Sequence, residues 1–397
     1  MKCSPTACTF VGMRIAVTAI FLNSGPLEGY GHYSNELLRQ LVNNFPQHEY
    51  LFLYDRPLIE PPVQHPRITH RVVSPATRQP VSLAYWYHSK ATRVVSKWKA
   101  DVWLQPYGFA SFYSKVPQLV IVHDLAPFHL PKAIPWYHRW HYRLFTQRAL
   151  LKAALLATVS DTTRQDIQQI FPALQSASIT VLPGAAREIF HPAEWEAKRD
   201  TKEQFTDGCE YFLVSGSIHP RKNLHTLLKA FSLFKKWQHS NMKLVIAGRW
   251  AWQTSETKEK ISTYKYRNDL VITGYIPEES LAKLTAAAYA MVYPSLLEGF
   301  GLPLLEAMQS GVPVITSDQP ALRETGGTAA CYFDSNNPEA LAEQMKKVYR
   351  DEAWKNQLIQ NGIQQAARFS WNATAEALEK CLLKAVDNKR KTQKPKE

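Results

Sequence analysis

Short, uninterrupted apolar runs recur along this chain, among them LVIV at 119–122 and LVIAG at 244–248. A strand with one wet face alternates apolar and polar residues. A strand apolar at every position is covered on both faces, as inside a parallel sheet flanked by helices. Parallel neighbours need long crossover connections, usually helical, and the segments between the runs carry helical periodicity. In the first half, strands are expected at 14–20, 49–54, 101–104, 118–122, 155–159 and 178–182, with helices at 31–43, 83–99, 134–152 and 161–170. In the second half, strands are expected at 211–215, 243–247, 270–273, 290–293 and 312–315. Helices there are expected at 222–237, 254–263, 278–287, 301–310, 338–349, 352–366 and 371–386. The alternation predicts an α/β protein with two doubly wound, Rossmann-like parallel sheets.

At about 100–200 residues per domain, 397 residues make two or three domains. The stretch 184–205 has Pro, Gly and a charge run but no strand pattern, which places the boundary there. The first domain is expected over 1–190 and the second over 191–370, followed by the helix at 371–386. Residues 387–397 are Lys-rich, contain Pro395 and read as a disordered basic tail. Met13 is an alternative start, which would leave 1–12 as a leader.

Charge is the one unusual bulk property: 47 Lys+Arg against 34 Asp+Glu give +13. Such an excess suits nucleic acid, an anionic membrane surface or anionic small ligands. It is unevenly spread. Residues 1–195 carry +8 and residues 384–397 carry +4, so the stretch between is nearly neutral. That distribution, with no zinc-finger, RNP or helix-turn-helix signature, argues against a nucleic-acid partner. The cysteines (Cys3, Cys8, Cys209, Cys331 and Cys381) are odd in number and scattered, with no C-x-x-C. This argues against a disulfide framework or a zinc site and fits a reducing, cytoplasmic setting. No apolar run is long enough to span a bilayer, and Arg14 interrupts the only stretch resembling a signal peptide.

Ligands of paired α/β domains bind beyond the carboxyl ends of the strands, so the segments after each strand carry the functional expectations. After the first strand, Gly25, Gly29 and Gly31 precede a helix whose N–H groups could face an anion. After strand 118–122 comes His123-Asp124, placing an imidazole at the crevice as a hydrogen-bonding or acid–base group. The alternative is a structural His paired with its neighbour Asp124. After strand 211–215, Gly216 and Ser217 turn the chain, and Arg221 and Lys222 stand at a helix start. Cations there oppose the helix dipole, so their placement favours a diphosphate ligand over a purely solvated role. The segment 293–315, YPSLLEGFGLPLLEAMQSGVPVI, is the most specific. Glu298 precedes Gly299, Phe300 and Gly301 at a helix opening, and Glu306 follows in the helix, placed to accept hydrogen bonds from vicinal hydroxyls. Backbone N–H groups around Gly299 to Leu302 suit phosphate.

Together these segments resemble the family 4 retaining glycosyltransferases, which have the GT-B fold of two Rossmann-like domains facing a central cleft. The resemblance covers about 13–386 and rests on GYGHYSNELLRQL, HDLAPFHLP, ATVSDTTRQDI, VLPGAAREIF, GSIHPRKNLHTLLKAF, ITGYIPEESLAKL and SLLEGFGLPLLEAMQSGVPVITSD. It implies that the helix 371–386 crosses back to the first domain, which receives the acceptor. It implies that Lys222 and Arg221 bind the donor diphosphate and that Glu306 binds the ribose. Glu298, with Gly299, Phe300, Gly301 and Leu302, would face the donor sugar and phosphate. Gly31 would lie under the diphosphate, His123 would touch the transferred sugar, and Tyr275 and Ile276 would hold the base. Ser217 stands after Gly216 where many relatives carry Arg, and PGAARE departs from their Asn-Gly-Val-Asp turn.

The implied activity is transfer of a hexose with retention to a glycan or lipid-linked glycan, in polysaccharide or lipopolysaccharide biosynthesis. GSIHPRKN is most similar to the mannosyltransferase-like branch, which makes GDP-mannose the expected donor. No metal and no other cofactor is expected. The alternative is another nucleotide-sugar enzyme of the same fold, a UDP-sugar glycosyltransferase or an epimerase. Segment 134–148, IPWYHRWHYRLFTQR, mixes Trp and Tyr with Arg139, Arg143 and Arg148. It reads equally as a peripheral contact with an anionic inner membrane face or as a core-facing aromatic stripe with a solvated basic face.

Overall fold

A computed structural model describes residues 12–23, 27, 29–58, 61–77, 79–131, 136–251 and 254–393. Its first half holds β1 (Arg14–Thr18), β2 (Glu49–Tyr54), β3 (Ile68–Val72), β4 (Val102–Gln105), β5 (Gln118–Val122), β6 (Leu155–Thr158) and β7 (Ile179–Val181). Its second half holds β8 (Tyr211–Ser215), β9 (Lys243–Ala247), β10 (Leu270–Gly274), β11 (Ala290–Tyr293), β12 (Val314–Ser317) and β13 (Ala330–Phe333). The first sheet runs β3-β2-β1-β4-β5-β6-β7 and the second β10-β9-β8-β11-β12-β13. All pairings are parallel. The α/β, two-sheet expectation is correct, and the reason is visible in β4, β5, β8 and β11, which are buried at every position.

Strand order reverses between β1 and β4 in one sheet and between β8 and β11 in the other. Crevices open at such switch points, beyond the strands' carboxyl ends. The helices that cover the sheets bury one stripe each. Helix Leu224–Gln238, for example, buries Leu224, Leu227, Leu228, Phe231 and Phe234, a spacing that matches one helical face. Each such side chain contributes roughly 1.5–3 kcal/mol of transfer free energy.

Two strands escaped the sequence reading, and both are sheet edges. β3, ITHRV, is largely exposed and carries polar residues; β13 has four residues and follows a Gly-Gly turn. Helix Trp195–Thr206 begins inside the stretch 184–205, where the domain boundary is expected and no strand pattern occurs. It buries only Thr201 and Thr206, so no apolar period marks it. The helix expected from 222 starts at Leu224, because Asn223 is left-handed (φ 53°) after a 3-10 turn at Pro220–Lys222.

The last helix, Trp371–Gln393, lies against helix Gly29–Asn44 of the first half. Tyr33 meets Trp371 edge-on at 5.3 Å, and Thr374 donates to the Pro183 carbonyl at 2.7 Å. The stretch from 387, read as disordered, is helical as far as Gln393. Ala385 and Val386 are buried, and extending an anchored helix adds one hydrogen bond per residue fixed. Residues 1–11 and 394–397, and with them the leader question, Cys3 and Cys8, lie outside the described residues. Cys209, Cys331 and Cys381 are free thiols. Among the described residues, no helix is long and apolar enough to cross a membrane.

Candidate active site

The halves touch closely at the carboxyl ends of β5 and β11. A Cβ built on Gly299 would stand 1.8 Å from the His123 carbonyl oxygen, so only glycine permits this approach. Glu324 of the second half accepts from the Asp161 and Thr162 N–H groups at 2.7 and 2.9 Å, at the start of helix Asp161–Ile170. A carboxylate there satisfies orphan N–H groups and meets the positive end of the helix dipole.

Between the sheets lies a cavity of about 580 Å³, within the range of about 300–1,000 Å³ usual for small-molecule sites. His123, Gly216, Ser217, Arg221, Lys222, Tyr275, Ile276, Glu298, Gly299, Phe300, Gly301, Leu302 and Glu306 all line it. Gly31 does not: it packs on the Leu27 side chain, and Gly29 lines the cavity instead. Gly25 lies outside the described residues.

At the centre, Lys222 Nζ stands 2.9 Å from Glu298 Oε1 and donates to the Tyr293 hydroxyl at 2.5 Å. Arg221 Nη1 lies 3.5 Å from Glu298 Oε2 and donates to Asp124 Oδ2 at 3.1 Å. Burial alone would raise the Glu298 pKa. The charges of Arg221 and Lys222, with the hydrogen bond from Lys222, overcome it and hold the carboxyl at about 2. Glu298 is therefore an anion that orients two cations, and the cations face the cavity. His219 beside them is pushed down to about 3 by burial and by Arg221 and Lys222. Gly301 adopts φ 97° at the cap of helix Leu302–Gln309, a left-handed conformation that favours glycine. That cap turns the helix N-terminus toward the same cavity.

His123 does not pair with Asp124. Its Nε2 lies 2.8 Å from the Pro106 carbonyl, and its ring meets Tyr33 edge-on at 4.9 Å. A carbonyl only accepts, so Nε2 carries the proton and Nδ1 is the accepting nitrogen. Burial lowers the His123 pKa against the opposing pull of the Pro106 bond and the Asp124 charge. The neutral ring suits a sugar hydroxyl donating to Nδ1. Asp124 instead accepts from the Ala126 N–H at 3.0 Å and from Arg221.

Glu306 lies in the second turn of its helix, so it does not complement the dipole. Arg187 Nε donates to Glu306 Oε1 at 2.7 Å. The same guanidinium reaches Glu278 Oε2 at 3.1 Å and His32 Nδ1 at 3.0 Å. Arg187 lines the cavity and is 5% exposed. Arg187 is not among the residues that the sequence motifs single out, because PGAARE reads as a turn. Its signal was an arginine in an otherwise apolar stretch. Among the described residues, no group of three or more His, Cys, Asp or Glu is placed to hold a metal ion.

Residues 196–365 match the family model described as glycosyl transferases group 1. O-antigen chain mannosyltransferase B of Escherichia coli is 27% identical over 367 residues, which span 89% of this chain and 95% of that protein. Sucrose-phosphate synthase from Thermosynechococcus elongatus superposes with a TM-score of 0.74 at 18% identity, covering 93% of this chain and 98% of that one. HepE from Anabaena, solved with UDP and glucose, gives 0.72 at 17% identity, covering 94% and 99%. Residues 196–365 are a group 1 glycosyltransferase domain, within a chain of GT-B architecture.

Proposed function

We propose that the protein transfers mannose from GDP-mannose, with retention, to a hydroxyl of a glycan or lipid-linked glycan in polysaccharide or lipopolysaccharide assembly. The observation that carries the donor site is the convergence of Arg221 and Lys222 on Glu298, with Glu306 lining the same cavity. The name of the Escherichia coli relative supports the sugar and the polymer.

In this reading Lys222, Arg221 and the N-terminus of helix Leu302–Gln309 face the diphosphate. Glu306 accepts from the ribose hydroxyls, Tyr275 and Ile276 border the base, and Glu298 and His123 accept from hydroxyls of the transferred sugar. The bond from the anomeric carbon to the diphosphate oxygen breaks. The acceptor oxygen bonds to that carbon on the same face, and its proton passes to the departing phosphate oxygen. Charge builds on the leaving diphosphate, where preorganised cations stabilise it most.

A panel of GDP-, UDP- and ADP-sugars, scored by nucleotide release and by thermal stabilisation, tests the donor. Turnover with UDP-sugars alone would replace mannose transfer with the UDP-sugar reading. Conversion of the donor without any acceptor would favour an epimerase. Peripheral membrane contact is proposed through helix Trp136–Lys152, where Trp140, Leu144 and Leu151 are exposed beside Arg143 and Arg148. The side chains of Trp136 and Tyr137 lie outside what is described. Absence of flotation with anionic liposomes at low salt rejects that contact.

A further inference from the structure

The cleft has two chemically different walls. Arg221, Lys222 and Arg249 come from the second half, and Arg187 comes from the connection between the sheets. Among the described residues, the first half contributes neither Lys nor Arg to the lining. It contributes Asp124, two histidines and seven Phe or Tyr rings, among them Phe21, Tyr30, Tyr107, Phe109 and Tyr142. This is the half that carries +8.

The rings are fixed against one another. Phe21 meets Tyr30 edge-on at 5.5 Å and Tyr107 at 4.6 Å, and Tyr30 meets Tyr107 at 6.0 Å. Phe109 lies nearly parallel to Tyr142 at 6.1 Å, with 29° between planes. Interlocked rings lose little rotamer freedom when a ligand arrives, which preorganises the wall. The wall abuts the reacting centre, since the Tyr30 and His123 rings are 6.4 Å apart and His123 adjoins the Asp124–Arg221 pair.

Helix Trp136–Lys152 shows how charge and ring are sorted. Tyr142 and Thr146 line the cavity, whereas Arg143 and Arg148 are exposed. The basic excess of this segment is therefore outside the pocket.

We propose that this aromatic wall is an acceptor subsite for an uncharged pyranose and that it discriminates against rings carrying a phosphate or carboxylate. The inference rests on the glycosyltransferase reading. A pyranose has C–H faces that pack on rings and a rim of hydroxyls for polar partners such as Thr146. An anion seated there loses hydration with no Lys or Arg from this wall among the described residues, and it faces Asp124, which is already committed to Arg221 and the Ala126 N–H. An anionic anchor on the same acceptor would be met by the exterior.

Saturation-transfer NMR with methyl α-D-mannopyranoside, methyl β-D-glucopyranoside and methyl N-acetylglucosaminide tests this, each paired with its 6-phosphate. The measurement is made with saturating GDP and again with UDP. The expected result is transfer to ring C–H protons of at least one neutral glycoside and at least about tenfold weaker binding of its 6-phosphate. Tyr30→Ala and Phe109→Ala should each raise the acceptor KM about tenfold while nucleotide affinity holds. Tyr30→Arg, at a position 37% exposed and so tolerant of substitution, should narrow the penalty on the 6-phosphate. Equal or tighter binding of the 6-phosphates overturns the inference. So does nucleotide binding without any neutral glycoside binding, which leaves the donor reading intact. Tyr30-dependent glycoside binding with neither nucleotide bound supports the subsite and removes the donor reading instead.

Discussion

Arg187 Nε donates to Glu306 Oε1 at 2.7 Å, and through Glu278 and His32 the same guanidinium ties helix Glu278–Ala286 to helix Gly29–Asn44. A carboxylate gripped at one oxygen presents the other in a fixed direction. Arg187→Met should raise the donor KM by about tenfold or more, with a smaller change in kcat. Arg187→Lys should recover part of the loss, because lysine restores charge but not the guanidinium fork. Steady-state kinetics on both variants checks this, and an unchanged donor KM in Arg187→Met removes the positioning role. Glu306→Ala should reduce kcat/KM by about 10² or more.

Lys222 and Glu298 form the second pair. Lys222→Ala should lower kcat/KM by about 10² or more. It should also destabilise the second half, because breaking a buried pair leaves Glu298 partly uncompensated, at a cost of about 3–5 kcal/mol before the remaining Arg221 charge offsets some of it. Denaturant midpoints and single-turnover rates separate the two effects. Near-native turnover in both Lys222→Ala and Glu306→Ala would falsify the donor-site assignment.

Gly299 against His123 predicts a conformational failure. The Cβ of Gly299→Ala would lie 1.8 Å from a backbone oxygen, which no rotamer change relieves. The halves must part, and misplacement by about 1 Å can cost about 10² in rate. The expected outcome is loss of turnover with each sheet still folded, read as an increased radius of gyration in small-angle scattering beside an unchanged far-UV spectrum.

Acid stability follows from two depressed pKa values. His219 binds its proton at about 3 in the folded chain against 6.5 as its ordinary value. Between those values the unfolded chain holds more protons, so stability falls as pH drops through the window. Glu298, at about 2 against 4.5, contributes stability that is present above 4.5 and lost as pH falls toward 2. Chemical denaturation at stepped pH should show a declining midpoint from about pH 6.5 downward. His219→Gln should flatten the upper part of that decline, and an unchanged slope would contradict the assignment.

Buried parallel strands are largely apolar, so β5 and β9 announce themselves in a bare sequence. The glycines and acids at 298–306 announce the donor end of the cavity, because few side chains permit that turn and that polarity together. Edge strand β3 and the exposed helix Trp195–Thr206 carry no such signal, since burial is what writes periodicity into a sequence. The partners of the charged groups were not legible either. Arg187 reaches Glu306 across 119 positions, Asp124 takes Arg221 across 97, and His123 turns to Pro106 rather than to its own neighbour. Ion pairs and hydrogen bonds depend on distances of about 3 Å, and chain separation says nothing about those until the two sheets face each other. The +13 is a property of the sequence alone. That its first-half share, Arg187 apart, stays out of the described cleft lining, leaving a wall of rings, was decided only by how the tertiary structure turned each segment.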